Sequence, residues 1–173
     1  MKKYIICVFI ICIITFLGCN SNDDNKVPET EPGMIGYAMA FEQGRILVID
    51  PIAKDFSSTG GVDEFYNAIW FSNIPEDIKT GDKVKVWFDM VAESYPGQSA
   101  AIYLEVIPST KPDGADLNES DAINKALLSE KIDSIWAIVV KSIEYKHETD
   151  VWKIELKEIL GDKIYNIEIK DMQ

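Results

Sequence analysis

The sequence predicts a mainly β protein. It should hold a five-stranded OB-like barrel followed by a small α+β domain, one helix packed on a three-stranded antiparallel meander. Three observations carry that prediction. Short apolar runs separated by Gly-, Pro- and Asp-bearing turns recur from Met34 to Ile107. Helical spacing of apolar residues occurs after Asn118, at Ile123, Ala126 and Leu127. Alternation of apolar and charged residues then returns and continues to Lys170.

Taken in order, Ile35 to Phe41 and Arg45 to Asp50 flank Glu42-Gln43-Gly44 and read as a hairpin. Pro51 ends the second strand. Lys54 to Asn67, with Ser57-Ser58-Thr59-Gly60-Gly61, reads as an irregular loop with a helical turn at Asp63 to Tyr66. Ala68 to Ser72 is a short apolar strand, and Ile74 to Ile78 a one-turn connector. Lys83 to Val91 and Ala100 to Ile107 complete the five, with turns at Thr80-Gly81-Asp82 and Ser94-Tyr95-Pro96-Gly97. A connector before the fourth strand, and one strand pairing out of order, fit an OB-type barrel; a meander sandwich is the alternative. Pro108 to Gly114 is a linker. Asn118 can cap the helix, with Asp121 in its first turn. Ile135–Tyr145, Val151–Ile159 and Lys163–Lys170 then alternate, as one greasy and one charged face covered by that helix.

Ahead of the barrel, Lys2 and Lys3 precede an apolar run from Tyr4 to Leu17, and Gly18-Cys19 follows it. A positive start, an apolar centre and a small residue before cysteine indicate a lipoprotein signal peptide over residues 1–18. The run is shorter than the roughly 20 apolar residues that span a bilayer, which argues against an uncleaved anchor. Cys19 would then carry diacylglycerol and hold the protein to the outer side of the cell membrane. Residues 19–33, polar and rich in Asn, Asp, Pro and Glu, read as a flexible tether. The barrel takes 34–108 and the α+β domain 109–173.

Composition narrows the function. There are 17 Lys+Arg against 29 Asp+Glu, a net charge of −12 that nears −14 once Lys2 and Lys3 leave with the leader. Such acidity disfavours nucleic acid, whose affinity comes from Lys and Arg displacing counterions. All three cysteines are spent, Cys7 and Cys12 in the leader and Cys19 in lipidation, so neither a disulfide nor a thiol nucleophile remains. His147 is the only histidine and lies in a turn, Lys146-His147-Glu148-Thr149. No metal site or cofactor is expected, since zinc would need mostly carboxylate ligands. Gly97-Gln98-Ser99-Ala100 lacks the second glycine and the following helix of a nucleophile elbow. Asp113, Asp116, Glu119 and Asp121 do not have calcium-loop spacing. Glycosidase chemistry needs two facing carboxylates, and so acidic a chain always offers a pair.

Binding residues are easier to nominate. Alternation in Lys83 to Val91 puts Val84, Val86, Phe88 and Met90 inward and Trp87 outward. The last barrel strand would bury Ile102, Leu104 and Val106 and turn Tyr103 outward. If the strands are neighbours, Trp87 and Tyr103 form an exposed aromatic surface, or else pack against the C-terminal domain. The usual OB ligand region, the face of strands two and three with the first and fourth loops, gives Arg45, Trp70, Tyr95 and Gln98. Core packing is the competing role for Trp70.

Four segments resemble the YobA-like domain: Ile46–Pro51, Ala68–Ser72, Ile78–Trp87 and Glu93–Ser99. That domain occurs in Gram-positive lipoproteins of unknown function, and the resemblance implies an OB-like extracytoplasmic domain over roughly Met34 to Ile107. Asp121 to Lys170 is similar to PepSY domains of secreted protease propeptides and envelope regulators, but stops without their Asp-x-x-Thr-Gly ending. The expectation is a non-catalytic, membrane-anchored interaction module for an envelope protein, peptide or small ligand. A regulator or inhibitor of an envelope protease is the alternative, and a carboxylate-based hydrolase comes third.

Overall fold

A computed structural model describes residues 26–133 and 137–172. The leader, Cys19, the start of the tether and Ile135, where a strand was expected to begin, lie outside the described residues. Among those described, no helix is long and apolar enough to cross a membrane.

The first unit is a six-stranded sheet of β1 (Met34–Glu42), β2 (Arg45–Ile49), β3 (Ala68–Ser72), β4 (Lys83–Trp87), β5 (Gly97–Ala100) and β6 (Tyr103–Ile107). The strand order is β5-β3-β2-β1-β4-β6. Gln43 and Gly44, both at positive φ, form the two-residue turn between β1 and β2. Six strands replace the expected five because the last one changes partner midway. Gly97 to Ala100 pairs parallel to β3, and Tyr103 to Ile107 pairs antiparallel to β4. Between them the Ala101 amide donates to the Ser72 carbonyl at 2.9 Å and the Ile102 amide to the Trp87 carbonyl at 2.8 Å. One continuous segment therefore runs along both edges of the sheet. The switch also breaks the alternation expected there: Leu104 is buried, but Ile102 is 56% exposed and Val106 is also exposed. Similarly, β4 ends at Trp87, so Met90 falls in a loop and is 83% exposed, not inward. The single helical turn of the long loop is a 3-10 turn at Ser57–Thr59, not at Asp63 to Tyr66.

Inside this sheet lie Ala38, Ile46, Val48, Ile69, Phe71, Val84 and Val86. Its other face is covered by the second unit: α1 (Glu119–Leu127) and the antiparallel sheet of β7 (Ile138–Lys146), β8 (Val151–Glu158) and β9 (Ile164–Lys170), in that order. The Asn118 side chain accepts from the Asp121 amide at 2.9 Å, capping α1 as its sequence suggests. The mainly β class, with a helix-covered three-stranded meander second, is the one the sequence indicates. One apolar core joins the units, however. Tyr37, Leu47, Ile49 and Ala68 of the first pack with Ile123, Trp152, Ile154 and Leu156 of the second.

Polar contacts lock that seam. The Tyr37 hydroxyl donates to Glu119, and the Ser120 hydroxyl donates to Asp82 at 2.5 Å. Glu64, in the long loop, pairs with Lys141 of β7 at 2.8 Å and with Lys157 of β8, and accepts from the Tyr66 hydroxyl. Asp171, 2% exposed, accepts from the amides of Asp116 and Leu117 and, at 3.0 Å, from the Trp152 indole. Burial pushes its carboxyl up, but these bonds to the charged form outweigh that and leave its pKa lowered.

Gly81 sits at φ +95, and a Cβ there would come within 2.4 Å of the Ser120 carbonyl oxygen of α1. Gly81→Ala should destabilise the fold by about 1–3 kcal/mol through that strain and clash, read from urea unfolding. Hydrogen bonds from Lys141, then Lys157 and Tyr66, hold the Glu64 carboxyl at about 2 against its usual 4.5. A carboxyl depressed on folding stabilises above its unfolded pKa, so this contribution is whole above about pH 4.5 and fades as pH falls towards 2. The stability gap between wild type and Glu64→Gln should shrink across that window. An unchanged gap would show that Glu64 does not clamp the units.

Candidate functional site

The outer face of β2 and β3, where an OB domain usually takes its ligand, is mostly occupied from within. Leu47, Ile49 and Ala68 lie on it and are buried beneath the second unit. What stays open is its end. Leu47 pairs with Trp70, and Trp70 with Gln98, so these side chains share a face with Arg45, two residues before Leu47. The Arg45 guanidinium lies 5.4 Å from the Trp70 ring centroid and donates to the Gln98 side-chain oxygen at 3.1 Å. Its second terminal nitrogen is 3.6 Å from the Glu42 carboxylate. Arg45 and Trp70 are half-buried and Gln98 is exposed. The cation–π contact with the indole and the bond to Gln98 hold the guanidinium in place, and its charge suits a carboxylate or carbonyl of an incoming group. Trp70 also packs against the shared core, so the structure gives it both roles weighed for it.

Tyr95 does not join this cluster in any hydrogen bond or ring contact. Its hydroxyl donates to the Tyr66 carbonyl at 2.7 Å, its ring packs against Phe65, and burial raises its pKa. With Val62, Phe65, Ile159 and Leu160 it lines a separate cleft of about 430 Å³ between the long loop and the β8–β9 turn.

Trp87 and Tyr103 do meet, edge to face at 5.4 Å between ring centroids, but they make no exposed aromatic surface. Trp87 is 6% exposed and belongs to neither apolar core. Alternation correctly put it on the side of β4 away from the first unit's apolar core, yet the tether then covers it: the indole N–H donates to the Thr30 carbonyl at 2.7 Å. Gly33 rests on the neighbouring Phe88 ring. So the cover expected from the C-terminal domain comes instead from the chain just before β1. His147 is exposed, as a turn residue should be, with its ring against Gly114. Among the described residues no cluster of His, Asp and Glu could hold a metal ion.

Asp171 was not singled out from the sequence, although a signal was there. Tyr165, Ile167 and Ile169 set the inward phase of β9, and Asp171 continues it, which marks an acid headed for a buried position. Glu64 carries no such signal, because its two lysine partners lie far along the chain.

An OB-like sheet whose ligand face is largely covered by a helix and a second sheet defines the class of this molecule. Residues 35–108 match the family described as a protein of unknown function, DUF3221. The uncharacterized protein YobA of Bacillus subtilis (strain 168) is 33% identical over 100 residues, covering 51% of this chain and 83% of that relative. The chain belongs to this YobA-like family. No solved structure gives a significant match.

The Trp87–Thr30 bond makes a testable demand on the tether. Trp87→Phe keeps an aromatic ring beside Tyr103 but loses the indole donor, at a cost of about 0.5–1.5 kcal/mol. Limited proteolysis between Lys26 and Gly33 should accelerate in that variant while cleavage elsewhere stays at the wild-type rate. Equal cleavage of the tether in both proteins would count against the clamp.

Proposed function

We propose that the chain is a membrane-tethered, extracytoplasmic and non-catalytic binding module, held by lipid on Cys19. The observation that carries the binding reading is the Arg45–Trp70–Gln98 cluster, left accessible on a face otherwise buried by the protein itself. A guanidinium held by an aromatic ring and a side-chain amide is pre-oriented, so little freedom is lost when a ligand carboxylate or carbonyl docks. The ligand class is therefore an acidic or carbonyl-rich group of an envelope protein, peptide or small molecule. The leader ending at Gly18-Cys19 supports the address, and the YobA-like family assigns no activity.

Two measurements test the two halves of this reading. Cys19→Ala should leave the protein unlipidated by mass and release it from washed membranes, since each buried CH₂ of an acyl chain contributes about 0.8 kcal/mol to anchoring. Retention of that variant at full-length mass would mean that the leader is an anchor. For binding, the soluble chain from residue 20 is cross-linked to detergent-solubilised envelope, as wild type and as Arg45→Ala. Loss of the same cross-linked species in Arg45→Ala, with unchanged thermal unfolding, is the expected result. Species that survive the substitution would move the binding site elsewhere.

A further inference from the structure

The long loop between β2 and β3 stands beside the β8–β9 turn, and the cleft of about 430 Å³ between them has walls that the fold already fixes. On the loop side, the amides of Lys54 and Phe65 each donate to the other residue's carbonyl, at 2.7 and 2.9 Å. The bond from the Tyr95 hydroxyl to Tyr66 and the ion pairs of Glu64 with β7 and β8 fasten the same segment. On the turn side, the Glu158 amide donates to the Lys163 carbonyl at 3.1 Å and the Ile159 amide to the Ala137 carbonyl at 3.0 Å. Phe65 and Tyr95, 5.3 Å apart at their ring centroids, supply an aromatic wall, and Ile159 and Leu160 an aliphatic one. Val62 and Leu160 leave apolar side chains exposed there.

The charged groups lining the cleft are Asp63, Glu64, Lys157 and Asp162. Glu64 and Lys157 are paired with each other, and Glu64 also holds Lys141 and the Tyr66 hydroxyl. Asp63 and Asp162 are exposed, and among the described residues neither carboxylate makes a hydrogen bond or an ion pair. Of the lysines on the adjoining segments, Lys163 is tied to Asp133, and Lys54 is not among the lining residues. We propose that this cleft takes an arginine side chain of a partner protein, its stem between the two walls and its guanidinium at Asp63 and Asp162. A carboxylate entering here would meet three acids and no unpaired cation, whereas a cation is attracted. A wholly apolar occupant would strip water from two carboxylates and give nothing in return. The aromatic wall favours a cation further, and a planar guanidinium on an apolar stem suits both kinds of surface. The Arg45 cluster selects the opposite charge, so this site goes beyond the binding-module reading above and does not depend on that cluster.

The probe is a capped tripeptide with arginine between two leucines, and its control carries citrulline, of the same shape but uncharged, in place of arginine. Each is titrated into the soluble chain from residue 20 at low ionic strength, with backbone amide chemical shifts followed residue by residue. The arginine peptide should shift Val62, Phe65 and Leu160 saturably, and the citrulline peptide should bind about tenfold more weakly, the loss expected for hydrogen bonds to a charged group. Asp63→Asn combined with Asp162→Asn removes two exposed carboxylates that hold nothing in the fold. That double variant should unfold as wild type does, yet weaken the arginine peptide by about the same tenfold. Should it shift unfolding, Leu160→Ser provides the second test, with weaker binding of the arginine peptide expected. Arg45→Ala should leave the peptide's affinity unchanged. No saturable shift at millimolar peptide, undiminished binding in the variants, or shifts only around Arg45 and Gln98 overturns the site and leaves the module reading standing. Equal affinity for the two peptides overturns the charge requirement. Arginine amide binding as tightly as the tripeptide would make a small molecule the occupant and overturn the protein partner.

Discussion

Every feature of this molecule depends on the apolar layer between its two sheets. Tyr37, Leu47, Ile49 and Ala68 bring the outer face of β1, β2 and β3 into one cluster with Ile123 of α1 and with Trp152, Ile154 and Leu156 of β8. Separating the two units would put that face in water, and burying each such side chain contributes about 1.5–3 kcal/mol relative to exposing it. The polar contacts at the seam add direction to this attraction. Gly81 lets the β3–β4 connector touch the backbone of α1, Asp82 receives the Ser120 hydroxyl, and Glu64 reaches two lysines on different strands. Hydrophobic burial is non-directional, so it is these contacts that fix how the helix and meander sit on the sheet.

This layer also decides where binding can happen. An OB-like sheet ordinarily offers the outer face of its second and third strands to ligands. Here most of that face is spent on folding, and Arg45, Trp70 and Gln98 remain accessible at its end. The residues nominated from the sequence thus divide by position along one face. Tyr95, from the fourth loop, is drawn into contacts with Phe65 and Tyr66. Trp87 and Tyr103 occupy a different strand pair, which the incoming chain covers through Thr30.

The contrast between Trp87 and Trp70 shows how far local pattern reaches. Period-two alternation gave the correct side of the sheet for Trp87, because backbone pleating fixes it residue by residue, whereas Ile69-Trp70-Phe71 is apolar on both faces and left Trp70 undecided. It said nothing about exposure, which depends on what else lies on that side. For Trp87 the cover is a tether whose polar composition reads as unattached chain, and which is held by one indole hydrogen bond and the contact of Gly33 with Phe88. Composition reports whether a segment can form a core, not whether a single carbonyl in it finds a donor.

By itself the sequence determined the mainly β class, the turns, the Asn118 cap and the alternating faces of β8 and β9. All of these arise from interactions within a few residues or from a repeat that the backbone geometry imposes. Only the tertiary structure decided that the last strand of the first unit divides between two partners. It likewise decided that both units share one core, that the tether covers Trp87, and that Asp171 is buried among three donors. Those outcomes join residues far apart in the chain, such as Glu64 with Lys157 or Tyr37 with Glu119, and no local pattern encodes which of many acids meets which lysine or tyrosine. Pairing across such distances is settled by how two apolar faces fit together, and the polar partners follow from that fit.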